Sequence, residues 1–111
     1  MIVQPRELLL YKNARGIEPF AVWIRSMKAR KTRAVIRAWV NRLEAGNFGN
    51  CRRIGSGISE QKIDTGPGYR VYFGLNGGTR IILLCGGTKS THRRDIARSR
   101  RLWKSYLERK G

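Results

Sequence analysis

Residues 64–85, DTGPGYRVYFGLNGGTRIILLC, decide the fold of this chain, because they contain two strand patterns and the turns beside them. Tyr69 to Leu75 alternates in polarity, which predicts a strand with Arg70 and Tyr72 on the face opposite to the apolar side chains. The NGG segment that follows is typical of a hairpin turn. Arg80 to Cys85 is nearly all apolar, as in a central strand covered on both faces. An antiparallel hairpin therefore forms the predicted centre of the sheet.

The segments on either side of this hairpin predict an α+β chain. Apolar spacings of three and four residues predict two amphipathic helices, and a third helix follows the hairpin. The pair Gly86-Gly87 is expected to end the preceding strand. We expect a single domain, 1–111, with two N-terminal helices packed on a small, mostly antiparallel sheet plus a C-terminal helix. The predicted elements are a strand over Arg6 to Lys12, helices over Glu18 to Met27 and Lys31 to Ala45, a loop over Asn47 to Gly57, a strand over Ile58 to Asp64, and a helix from Ser90 or Thr91 to about Lys110.

The charge balance narrows the functional classes. Lys and Arg number 24 against 7 Asp and Glu, which gives a formal charge of +17. The scattered acids argue against a carboxylate-based active site and against a Ca²⁺ or Mg²⁺ site. Two cysteines and one histidine are too few for a zinc site, and two free thiols are expected rather than a disulfide. With no signal peptide or membrane span in the pattern, we expect a cytoplasmic protein with a negatively charged partner.

The candidate site lies on the sheet face that carries Arg70. If the strands pair as a meander, Lys62, Lys89 and His92 reach the same positive surface as Arg70. Charge for phosphates and a nearby ring are what single-stranded RNA binding needs. The predicted RNA-binding residues are Arg70, Tyr72, Lys62, Arg93 and Arg94, and the predicted catalytic residues are Arg70, Lys89, Lys62 and His92.

The same residues suit RNA cleavage by the 2′-hydroxyl of the substrate itself. Arg70 fits a bidentate clamp on the phosphate. Either Lys62 or Lys89, crowded by other cations, is a candidate for proton transfer through a lowered pKa. His92 is the one side chain whose ordinary pKa lies near neutrality, so it can act as acid or base. This chemistry needs no metal and no cofactor.

The motifs DTGPGYRVYF and IILLCGGTKST, followed by DI at residues 95–96, resemble the RelE/ParE superfamily of bacterial type II toxins. They are most similar to its HigB-like branch, the addiction module killer proteins, and the resemblance covers nearly the whole chain. It implies a RelE-like fold and an mRNA interferase that cuts mRNA, mostly on the ribosome, and so inhibits translation and arrests growth. It also implies an acidic cognate antitoxin, in this branch typically a helix-turn-helix protein.

The resemblance assigns roles to three positions. Arg70 matches the family arginine that contacts the scissile phosphate, Lys89 matches the basic residue after the glycine pair, and Lys62 matches a strand position often held by Arg or Lys. The branch commonly has glutamine where His92 stands. No residue matches the C-terminal tyrosine or histidine of some relatives, and Tyr106 is expected in the core.

Three other functions remain open at this point. The superfamily includes ParE-type toxins, which poison DNA gyrase, and a fold match does not separate them from nucleases. A nucleic-acid-binding protein without catalysis fits the same charge. A membrane-surface protein fits least, because the apolar stripes of the helices face a core.

Overall fold

The computed structural model describes residues 6–110, which form a five-stranded sheet with helices on both of its faces. The strand order is β1-β5-β4-β3-β2. The first strand pairs parallel with the last, and the other neighbours are antiparallel. The elements are β1 (Glu7–Leu10), α1 (Pro19–Arg25), α2 (Arg30–Glu44), β2 (Cys51–Gly55), β3 (Ile58–Ile63), β4 (Tyr69–Asn76), β5 (Arg80–Thr88), a 3-10 turn (Lys89–Thr91) and α3 (His92–Lys110).

Each face of the sheet carries its own apolar cluster. Val71 and Phe73 of β4 lie on the face covered by α1 and α2. Tyr72 lies on the opposite face, with Trp103 of α3. A bulge shifts the β4–β5 register, so that Tyr72 is opposite Cys85 and Phe73 is opposite Leu83. The alternation in β4 therefore sorts its side chains onto two faces, as its sequence predicts, but both faces carry a core, whereas only the face of Val71 and Phe73 was expected to be covered.

The expected fold, a RelE-like arrangement on a small sheet, is wrong in its details. The sheet has five strands, since residues 51–55, expected as loop, form β2 and pair with β3. In addition, α3 covers the face that was expected to be open above Arg70. β2 escapes detection because it is an edge strand with a bulge near Gly55 and exposed Arg52 and Arg53, so main-chain pairing rather than an apolar pattern defines it.

The glycine pair Gly86-Gly87 was expected to end β5, but the strand continues to Thr88. The two glycines instead let other elements approach both faces of the strand. A Cβ atom on Gly86 would lie 2.2 Å from the Trp23 ring, and one on Gly87 would lie 1.8 Å from Asp95 Oδ2. Close packing of α1 and α3, rather than a strand end, explains these residues.

α3 has 19 residues and carries ten Arg, Lys, Asp and Glu side chains within HRRDIARSRRLWKSYLERK. No helix within residues 6–110 is both long and apolar enough to cross a membrane. The helix instead buries Trp103 and Asp95 against the sheet and exposes most of its other charged side chains.

The two cysteine side chains pack on opposite faces of the sheet, Cys51 with the α1–α2 core and Cys85 with the α3 core. Burial raises the pKa of Cys51 to about 11 and that of Cys85 to about 12. The native thiols therefore hold their protons at pH values where the unfolded thiols release theirs.

We expect the Cys85 thiol to make stability fall as the pH rises from about 9 towards 12. Below this range both states hold the proton, and within it only the unfolded state loses the proton, which favours unfolding. Urea unfolding at several pH values measures this effect, with Cys85→Ala as the control for the other titrating groups. Parallel curves for the two proteins would contradict it.

Candidate functional site

Arg70 and Lys62, two of the predicted site residues, are direct neighbours on the α3 face of the sheet. They are register partners on β4 and β3, and partners across strands project to the same face. Arg70 is also opposite Gly87 of β5, over which Asp95 of α3 lies. The start of α3 therefore stands at the Arg70 end of the sheet.

The turn from β5 into α3 brings Lys89 to this same end. The Lys89 backbone N–H donates to the Gly68 carbonyl at 2.8 Å, which ties it to the turn just before β4. Thr88 and Thr91 cap the turn reciprocally, and Thr91 Oγ1 donates to Asp95 Oδ2 at 2.5 Å. These bonds fix the chain direction at Lys89, whose side chain is exposed.

His92, at the first position of α3, is partly buried and contacts Lys89 through its ring. Its Nδ1 atom lies 3.1 Å from the Lys89 carbonyl oxygen. A carbonyl only accepts, so Nδ1 carries the proton in this contact. In the neutral ring, Nε2 is then the basic nitrogen, free to take a proton from a hydroxyl group.

A buried carboxylate anchors Arg70. Glu60 of β3 is fully buried, and its Oε1 accepts from Arg70 Nη1 at 3.0 Å and from Arg52 Nε at 2.9 Å. The Arg70 side chain is 12% exposed and that of Arg52 is 55% exposed. Arg70 is therefore a largely buried guanidinium held in place by Glu60 rather than a freely moving cation.

Glu60 and Arg52 belong to this site although the sequence did not single them out. Glu60 looked like one of several scattered acids, and Arg52 lay in the segment expected as loop. One signal was present in the sequence: Glu60 and Lys62 are two residues apart in a predicted strand, so their side chains share one face. Because Lys62 was expected on the same face as Arg70, this spacing also puts the Glu60 carboxylate on that face, where it can form an ion pair with Arg70.

Tyr72 does not offer the ring that was expected to stack on an RNA base. It points to the predicted face, but α3 covers it and its exposure is 0%. Desolvation and the nearby Glu60 carboxylate raise the pKa of Tyr72. Its hydroxyl has no hydrogen-bond partner among the described residues. Tyr72 is therefore a core residue beneath the site.

We expect Tyr72→Phe to change the free energy of unfolding by less than about 1 kcal/mol, because it removes an unpaired buried hydroxyl. RNA binding should not change. Tyr72→Ala, in contrast, should cost about 3–5 kcal/mol by leaving a cavity. Urea unfolding and RNA titration of both variants measure these effects. A loss of RNA affinity in Tyr72→Phe would show that the hydroxyl acts in binding.

The remaining predicted residues differ in exposure. Arg93 and Arg94 are exposed in the first turn of α3, and Lys62 is partly buried. Three ion pairs link described residues, and Glu60 takes part in two of them. Most of the 24 basic residues are therefore not neutralised by nearby acids, and this end of the sheet keeps a positive potential.

The site is a surface patch rather than one of the larger cavities. A cavity of about 410 Å³ lies near Tyr11 and Tyr106, and another of about 420 Å³ lies between α1, α2 and β1. Within residues 6–110, no three His, Cys, Asp or Glu side chains are grouped so that they could hold a metal ion. An extended ligand lying across the patch suits this shape better than a small enclosed one.

Comparison with known proteins gives a relative in Haemophilus influenzae (strain ATCC 51907 / DSM 11121 / KW20 / Rd), whose name is "Uncharacterized protein". The two sequences are 43% identical over 83 residues, which is 75% of this chain and 84% of the relative. No family model matches the chain. Identity at this level over most of both chains means that the chain belongs to the same family as this H. influenzae protein.

Proposed function

We propose that the protein is the toxin of a bacterial type II toxin–antitoxin module and cuts mRNA as a metal-independent endoribonuclease at the ribosome. The observation that carries this proposal is the placement of Arg70 beside Lys62 at the start of α3, with the Arg70 guanidinium fixed by buried Glu60. The motifs that resemble the RelE/ParE superfamily, and its HigB-like branch in particular, add to it.

The proposed reaction is an in-line attack of the RNA 2′-oxygen on the adjacent phosphorus. A P–O bond to the 2′-oxygen forms, the bond to the 5′-oxygen breaks, and the products are a 2′,3′-cyclic phosphate and a 5′-hydroxyl. Arg70 stabilises the charge that develops on the phosphate oxygens. His92 Nε2 takes the proton of the 2′-hydroxyl, and the ammonium of Lys62 or Lys89 supplies one to the leaving 5′-oxygen.

The same proposal includes a partner and a compartment. A positive patch on a chain of charge +17 favours an acidic antitoxin, here a helix-turn-helix protein, whose binding is sensitive to salt. mRNA and ribosomes place the protein in the cytoplasm. An acidic product from the neighbouring reading frame that binds this chain and blocks its activity would support this part.

The test combines primer extension on mRNA after brief induction with cleavage by the purified protein in EDTA, with and without ribosomes. Discrete cuts with 2′,3′-cyclic phosphate ends support the proposal, and cuts that need ribosomes support the site of action. DNA breaks and inhibited gyrase supercoiling, without RNA cuts, would assign the protein to the gyrase poisons. RNA binding without cleavage in either assay would show that the protein binds nucleic acid but is not a nuclease.

A further inference from the structure

We propose that Arg52 is a second phosphate-binding residue and that Glu60 is the positioning residue that holds Arg52 and Arg70 together. This inference rests on the proposed function, since the ligand is the backbone of a single-stranded RNA. Its basis is that one oxygen of Glu60, on β3, accepts from the guanidinium groups of Arg52 on β2 and Arg70 on β4, the two neighbouring strands.

The geometry makes Arg52 and Arg70 a pair. Both contact Glu60 Oε1, at 2.9 and 3.0 Å, so the two guanidinium groups are neighbours despite like charge. Arg52 is also the direct register partner of Glu60 on β2. Two arginines meet in this way only because a buried negative charge lies between them.

Both arginines keep donors for another ligand. Glu60 occupies Nε of Arg52 and Nη1 of Arg70, whereas a guanidinium has five N–H donors. Because Arg52 is 55% exposed, it can meet a phosphate without any rearrangement of the core. An RNA backbone that lies on Arg70 and continues towards the β2 edge of the sheet passes over Arg52.

Glu60 is arranged for positioning rather than for binding. It is fully buried, and its second oxygen, Oε2, has no hydrogen-bond partner among the described residues. A buried carboxylate with an unsatisfied oxygen is costly, and that cost is offset here by the arginine pair. The negative charge opposes RNA binding, so its contribution is to hold Arg70 in one orientation.

The matched variants are Arg52→Ala and Arg53→Ala, which remove the same charge from adjacent positions of β2. Arg53 is opposite Ser59, on the other face of the sheet. With a single-stranded RNA oligonucleotide made non-cleavable by 2′-fluoro substitution, we expect Arg52→Ala to bind about 10-fold more weakly. Its plot of log affinity against log salt should lose about 0.7 in slope. Arg53→Ala should change affinity less than about 2-fold.

Glu60→Gln tests the positioning role. We expect the cleavage rate at saturating RNA to fall about 100-fold with KM unchanged or lower, because Arg70 is then misplaced while positive charge increases. A higher KM with an unchanged rate would overturn the role of Glu60. Circular dichroism and urea unfolding show whether the variant folds, and the Arg52 comparison does not depend on it.

Two failures are distinguishable. If the wild-type protein cuts RNA while Arg52→Ala and Arg53→Ala bind it equally well, the inference about Arg52 is overturned and the proposed function stands. If the wild-type protein neither cuts RNA nor binds the oligonucleotide, both the proposed function and this inference are overturned.

Discussion

Arg70→Ala is expected to lower the rate of mRNA cleavage by about 10²–10³-fold, which is the usual loss when one donor to a developing negative charge is removed. The structure fixes this guanidinium against β3 through its hydrogen bond to buried Glu60. RNA affinity should fall much less, because many other cations contribute to binding. Primer extension after induction, together with oligonucleotide titration, separates the two effects.

The control for this variant must account for Glu60. Removing Arg70 leaves the fully buried Glu60 carboxylate with Arg52 as its remaining ion-pair partner, so the loss of stability should stay below the roughly 3–5 kcal/mol of an uncompensated buried charge. Arg70→Lys keeps a cation near Glu60, but an ammonium group lacks the planar pair of donors that would bind a phosphate in a bidentate manner. We therefore expect Arg70→Lys to fold normally and to cleave slowly, and urea unfolding of each variant checks the first part.

Two results would contradict the role of Arg70. A folded Arg70→Lys variant that cleaves at the wild-type rate would remove Arg70 from the chemistry. Equal losses of cleavage and of RNA affinity in Arg70→Ala would make it a binding residue only. Arg53→Ala, which removes a charge on the opposite face of the sheet, gives the baseline for both comparisons.

The alternation in β4 predicts which way Arg70 and Tyr72 point, because a strand between two cores must sort its side chains by face. It does not predict that Tyr72 is covered. That outcome depends on where α3 lies, and the position of α3 depends on Gly87 and Gly74, which have no side chain where the helix approaches. Glycine carries no polarity signal, so the pattern of apolar residues cannot reveal such an approach.

The ion-paired group of Glu60, Arg52 and Arg70 could not be predicted from the sequence for a related reason. Its ion pairs join β2, β3 and β4, and β2 contains too few apolar residues to be read as a strand. Sequence spacing gave Lys62 and Arg70 a common face, which the register confirms. Pairing across strands then decides which charges meet, and that pairing is a property of the folded sheet rather than of any single segment.

Gly74→Ala is expected to destabilise the protein by about 3 kcal/mol or more, at the upper end of overpacking effects. A Cβ atom on Gly74 would lie 2.3 Å from the Trp103 ring, well inside contact distance. The ring has little room to retreat, since it is 5% exposed and stacked on Tyr106 with ring centroids 5.3 Å apart. Urea unfolding measures the loss. Gly49→Ala, in a turn outside the sheet, is the comparison variant, because the added atom would meet only Asn47 Oδ1, at 3.2 Å.

The cause is tested by removing the ring. Trp103→Ala alone should cost about 3–5 kcal/mol through the cavity that it leaves. In that background, Gly74→Ala should cost little or even stabilise, because the added methyl group then fills empty space in a strand where alanine is otherwise favoured over glycine. Additive losses in the double variant would mean that the clash is not the cause. α3 also carries His92 and Asp95, so a shift of the helix in Gly74→Ala should disturb the site at its other end. We therefore expect this variant to cleave RNA more slowly even at temperatures where it stays folded.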